Sequence, residues 1–62
     1  MEANLREADI AAIFDKGLQA HNAGDLGAAE QLYKETLAIQ PKHCEANHNI
    51  GVVLVAKNEL DK

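Results

Sequence analysis

Two side chains stand at a spacing that chemistry could use. Cys44 and His48 are four residues apart, which places them on one face of a helix, and His43 lies beside them. Zinc is held by such pairs, but it wants three or four protein ligands. No second histidine pair or nearby carboxylate completes the set, so no metal site is expected. A cysteine at a helix start gains thiolate character, yet no base and orienting group stand with Cys44. A disulfide between two copies is the more natural fate of this thiol. The carboxylates Asp25, Glu30, Glu35, Glu59 and Asp61 read as solvated faces and helix-start charges. Acid–base work by paired carboxylates needs a desolvated cleft, which so short a chain does not promise. Gly24 and Gly27 flank a turn and do not form a phosphate loop. No catalytic residue, cofactor site or metal site is expected, and the chain reads as a non-enzyme.

The elements that carry these residues are short helices. Ile10, Ile13, Gly17 and Ala20 recur at helical spacing, with Phe14 and Leu18 as a second apolar strip. The pattern predicts a first helix over about 8–23, ended by Asn22-Ala23-Gly24-Asp25, with Gly24 suited to a left-handed cap. Ala28, Ala29, Leu32, Tyr33, Thr36 and Leu37 predict a second over 26–39. Pro41 stops it, since its ring cannot continue a helix and restricts Gln40 before it. Ala46, Ile50, Val53 and Leu54 share one face of a third helix over 44–57, with Gly51 at its edge. Alone, Val52-Val53-Leu54-Val55 fits a buried strand as well. Helix is preferred, because no turn residue interrupts 46–57 and the segment repeats the first helix. Glu30 and Lys34 make an i, i+4 pair on the second helix. Short connections imply antiparallel neighbours, so the expected fold is all-α, a helix hairpin plus a third helix.

Length and charge narrow the function. With 62 residues the chain holds one small unit, and chains of this size usually need a disulfide, a metal or a partner. A lone cysteine rules out the first within one chain, so a partner or more of the same chain remains. Ten acids against six Lys and Arg give a formal net charge of −4. That leaves no basic stripe for nucleic acid and no polybasic patch for a membrane surface. No stretch approaches the apolar length of a membrane span, and the polar start after Met1 is no secretory leader. A cytoplasmic location is the expectation.

Compared with itself at an offset of 34 residues, the chain sets Ala12 on Ala46, Gly17 on Gly51 and Leu26 on Leu60. Leu18 meets Val52, Ala20 meets Leu54, Asp15 meets Asn49, Asp25 meets Glu59, and Gly24 meets Asn58, another residue that tolerates a left-handed turn. With Gly17 and Gly51 inside helices, Ala29, Tyr33 and Pro41 behind them, and the strings Ala23-Gly24-Asp25-Leu26 and Ala38-Ile39-Gln40-Pro41, the chain resembles the tetratricopeptide repeat (TPR) family. The likeness covers one full repeat over 10–43 and about half of another over 44–62, after an extension or helix start over 1–9. Lys16, Asn47 and Thr36 depart from it. Each stands where an apolar residue is usual, and Lys16 is expected to snorkel.

The resemblance implies a protein-interaction scaffold. It also implies that Gly17 and Gly51 are each a point of close helix contact. The groove expected to take a peptide or protein would be lined by Phe14, Leu18, His21, His48, Asn49, Val52 and Val55, so that Phe14→Glu or Asn49→Ala would weaken binding without unfolding the chain. Alternatively Phe14 and Leu18 pack on the N-terminal segment around Leu5, or on a second copy. Asn49 matches one position of the chaperone carboxylate clamp, but Phe14 and Leu18 replace the lysine and asparagine it needs. The run from Ala46 to Gly51 looks more like the repeats of O-linked N-acetylglucosamine transferases, so an alternative is a regulatory segment of a larger glycosyltransferase. Repeats of this kind cover one another. Ile50, Val53 and Leu54 are therefore expected to lie uncovered and to mark homo-oligomeric self-association, a structural alternative to partner binding.

Overall fold

The structure is a computed structural model that describes residues 7–60, with side chains from 8 to 59. It consists of three helices, α1 (Glu7–Asn22), α2 (Leu26–Ile39) and α3 (Cys44–Leu60). The fold is all-α, and the valine-rich run lies within α3. The expected packing of Phe14 against Leu5, the segment before residue 7 and the stub at 61–62 fall outside the described residues.

Each helix end has a local cause. Gly24 takes φ 85°, the left-handed conformation that costs glycine nothing. Its N–H donates to the His21 carbonyl at 3.0 Å, and the Asp25 N–H donates to the Ala20 carbonyl at 2.9 Å. These two bonds are the paired cap that closes a helix around a left-handed residue. Asp25 then opens α2 by accepting from the Ala28 N–H at 3.2 Å, which satisfies an otherwise orphaned donor. At the other end of α2 the Gln40 N–H donates to the Thr36 carbonyl at 2.8 Å, and Pro41 prevents another turn.

His43 starts α3. Its ring Nδ1 accepts from the Ala46 N–H at 3.0 Å, the task a serine or aspartate usually performs. Asn47 reaches back over the same corner and donates from Nδ2 to the carbonyls of Pro41, at 3.2 Å, and His43, at 3.1 Å. Asn47, where an apolar ring was expected, is thus exposed and holds the linker. α3 runs straight through Asn58, so the left-handed turn anticipated there does not form.

α2 is the shared element: α1 and α3 both pack against it. Phe14, Ala29, Tyr33, Ala46 and Val53 form the core, with Leu18, Ala20, Leu26, Leu37 and Ile50 partly buried around it. Thr36, which stands where an apolar residue is usual, is fully buried with its hydroxyl donating to the Leu32 carbonyl at 3.0 Å. A buried hydroxyl that keeps a partner avoids most of the desolvation cost. Lys16 is exposed.

Candidate functional site

The α1 face that meets α2 is built from Phe14, Gly17, Leu18 and His21, at i, i+3, i+4 and i+7. Tyr33 from α2 fills it. A methyl group at Gly17 would sit 2.7 Å from Tyr33 Cε1 and 2.9 Å from Cδ1, so only a glycine admits the ring. Phe14 packs on the ring with centroids 5.7 Å apart, and His21 Nδ1 lies 3.2 Å from the Tyr33 hydroxyl. The Asn49 amide on α3 faces the same hydroxyl and favours its ionised form. The phenol therefore has polar side chains of both α1 and α3 near it. Its burial raises the Tyr33 pKa above the ordinary tyrosine value, and Asn49 opposes that rise without cancelling it.

Half of the expected groove is consequently interior. Phe14 is buried between Tyr33 and the His43 ring, whose centroid is 4.8 Å away. Leu18 and His21 are half-buried at α2, and Asn49 is half-buried against Tyr33. The reason is that α2 lies over the α1 face that was expected to stay open. Phe14→Glu and Asn49→Ala would therefore disturb the fold rather than a surface.

The remaining residues do share a surface. His48, Val52 and Val55 are exposed on α3, and with Gly51 they line a shallow, almost wholly apolar hollow of about 460 Å³. Val52 is 42% exposed and Val55 61%. Gly51 is not the close contact it was expected to be: a methyl group there would meet nothing within 4 Å among the described residues. The set Ile50, Val53 and Leu54 divides. Val53 is fully buried against α2, Ile50 is half-buried, and only Leu54 stays exposed. α3 turns Val53 toward α2, so the uncovered strip lies on the opposite face.

Cys44 is an exposed free thiol. Among the described residues no three His, Cys, Asp or Glu side chains gather closely enough to hold a metal ion. His43, adjacent in sequence to Cys44, is committed to capping α3 and stacking on Phe14. Composition and spacing gave no sign of that role, since histidine is not a usual capping residue. The Lys57–Glu30 bridge between α3 and α2 was also unforeseen, alongside the expected Lys34–Glu30 pair at 3.0 Å. Hydrogen bonds from Lys57 and then Lys34 hold the Glu30 carboxyl below the ordinary glutamate range.

The fold and surface define an all-α three-helix chain with one open apolar face and, among the described residues, no helix long and apolar enough to cross a membrane. No family model, curated protein or solved structure matches it.

Proposed function

We propose that this chain is a protein-interaction module of tetratricopeptide type, which binds a protein partner through the outer face of α3. The observation that carries the reading is the pairing of two equivalent helix faces. The face of α1 receives Tyr33 across Gly17, while the face 34 residues on, His48 with Gly51, Val52 and Val55, is apolar and unoccupied among the described residues. Contiguous exposed apolar surface on a small protein marks a place of association. The hollow offers a histidine and no other polar group from its lining residues, which suits recognition better than catalysis.

Photo-crosslinking tests this. With a benzophenone side chain at Val55, a protein partner is trapped in cell extract, and excess unmodified chain competes it away. The same group at the exposed Gln31 of α2 traps nothing comparable. Equal labelling from both positions, or none from Val55, would end the proposal.

A further inference from the structure

We infer that His43 is a proton-operated latch: when neutral it caps α3 and closes the first turn of that helix, and when it gains a proton below neutral pH it lets that turn open. This stands on the geometry of the cap and does not depend on the proposed interaction role.

The cap admits one protonation state. The Ala46 N–H can only donate, so His43 Nδ1 must accept, and the neutral ring carries its proton on Nε2. An imidazolium bears a proton on both nitrogens and has nothing left to accept with. Its charge would also sit at a helix N-terminus, where the backbone dipoles disfavour a cation. Ala46 is fully buried, so water does not readily replace the lost acceptor. Histidine changes charge between pH 5 and 8, a range through which a serine or asparagine cap is unaltered. The support that the cap gives is therefore present above the histidine range and lost below it.

The other two histidines are not bound in this way. His21 Nδ1 lies 3.2 Å from the Tyr33 hydroxyl, and a hydroxyl accepts as well as donates, so that contact survives protonation. His48 is exposed on the outer face of α3.

The surroundings confine the opening. On α1 the His43 ring meets Phe14, with centroids 4.8 Å apart and planes inclined at 44°. An aromatic ring attracts a cation, so Phe14 keeps hold of His43 while the bond to Ala46 breaks. Ile10 and Leu18, one turn to either side of Phe14, are uncharged, and Asp9, Asp15 and Lys16 of α1 are exposed. On α2 Tyr33 packs on Phe14, Glu30 is paired with Lys34 and with Lys57 of α3, and Glu35 is exposed. In the linker and the start of α3, Lys42 and Glu45 are exposed to either side of His43 with opposite signs, and Cys44 is exposed as well. Asn47 donates to the carbonyls of Pro41 and His43, so the corner stays folded as the cap opens.

The test follows the full chain from pH 7.5 to pH 5 by amide hydrogen exchange and thermal melts. Protection of the Ala46 amide, corrected for the intrinsic exchange rate at each pH, should fall about fivefold or more as the His43 ring titrates, the scale of a lost cap. Val53, deep in α3, should keep its protection. The wild-type Tm should fall by about 4–8 °C over the same window. His43→Asn caps without titrating here and should flatten that decline, while His21→Gln and His48→Gln should keep it. Ala46 protection that is constant through the His43 titration overturns the latch. An equal fall at Ala46 and Val53 overturns it too, since the whole fold would then be loosening. Parallel declines in the wild type and His43→Asn, or a decline that vanishes in His21→Gln or His48→Gln, put the responsible proton elsewhere. Should His43→Asn fail to fold, the exchange of Ala46 in the wild type decides alone.

Discussion

α1 and α3 each place a glycine in a corresponding arrangement 34 residues apart, and the two end in opposite states. Around Gly17 the arrangement is filled: Tyr33 lies on the glycine, Phe14 supports the ring and His21 meets its hydroxyl. Around Gly51 it is empty among the described residues, and Val52 and Val55 face outward. The residue types alone do not decide which face becomes core. What decides it is whether a second helix is delivered to that face, and the short capped turn at Gly24 and Asp25 delivers α2 to α1. α3 instead lies on α2 by its other side, through Ala46 and Val53.

The sharpest way to break this comparison is to make one substitution at both glycines. Gly17→Ala places a methyl group 2.7 Å from a buried ring that is itself held by Phe14 and His21, so the ring cannot simply step aside. Overpacking of this kind costs about 1–3 kcal/mol, more than the helix gains on losing a glycine. We expect a clear net loss, about 4–8 °C in Tm for each kcal/mol in a domain this small. A melt unchanged from the wild type would show that Tyr33 is not clamped on Gly17.

Tyr33→Phe keeps the ring and removes only its hydroxyl. His21 loses its partner, at a cost of about 1 kcal/mol. The pH dependence gives a second measure. Burial raises the folded-state pKa of Tyr33, so the folded chain holds this proton more tightly than the unfolded one. Stability is then fully present below the unfolded tyrosine value, about 10, and drains away as pH rises through the folded pKa. Urea melts from pH 8 to 11 should show that decline in the wild type and a shallower one in Tyr33→Phe. Parallel alkaline limbs would place the hydroxyl in solvent.

Most of the helix pattern was legible in the sequence because it depends on local chemistry. Gly24, Asp25 and Pro41 act within a turn of where they stand, and the expected 26–39 helix agrees with α2 from end to end. Long-range placement was less legible. Phe14 and Val53 are apolar residues whose spacing allows either an interior or a surface role, and the structure gives both the interior one. Asn49 looked like a groove amide, since nothing in its neighbours reveals a phenol 16 positions earlier in the chain. His48, Val52 and Val55 are exposed, but the continuous run Val52-Val53-Leu54-Val55 gives no sign of which side of α3 meets α2.

Gly51→Ala is the mirror of the first substitution. A methyl group there touches nothing among the described residues, so no packing penalty opposes the gain in helix propensity. We expect stabilisation of about 0.5–1 kcal/mol, read as a rise in Tm. The contrast lies in the sign: one change at two equivalent positions lowers stability at the filled face and raises it at the open one. A loss at Gly51 would mean that this face is covered in solution, and its dependence on protein concentration would say whether the cover is a second copy.

The smallest effect concerns the seam by which α3 is held to α2 and its outer face kept outward. Glu30 accepts from Lys57 across that seam and from Lys34 along its own helix, and both bonds depress its pKa, Lys57 more strongly. A carboxyl with a lowered folded-state pKa binds its proton less readily when folded. It supports the fold above the ordinary glutamate range and loses that support as pH falls through its depressed value. Both lysines are well exposed, so salt screens the pairs and the contribution is modest. Melts from pH 7 to pH 3 should fall less steeply in Glu30→Gln than in the wild type, and the difference should shrink in high salt. Lys57→Met should lower the acid-sensitive part more than Lys34→Met, because only Lys57 joins two helices. If the two lysine variants behave alike, the seam rests on Ala46, Ile50 and Val53, and the outward set of His48, Val52 and Val55 is fixed by apolar packing without help from charge.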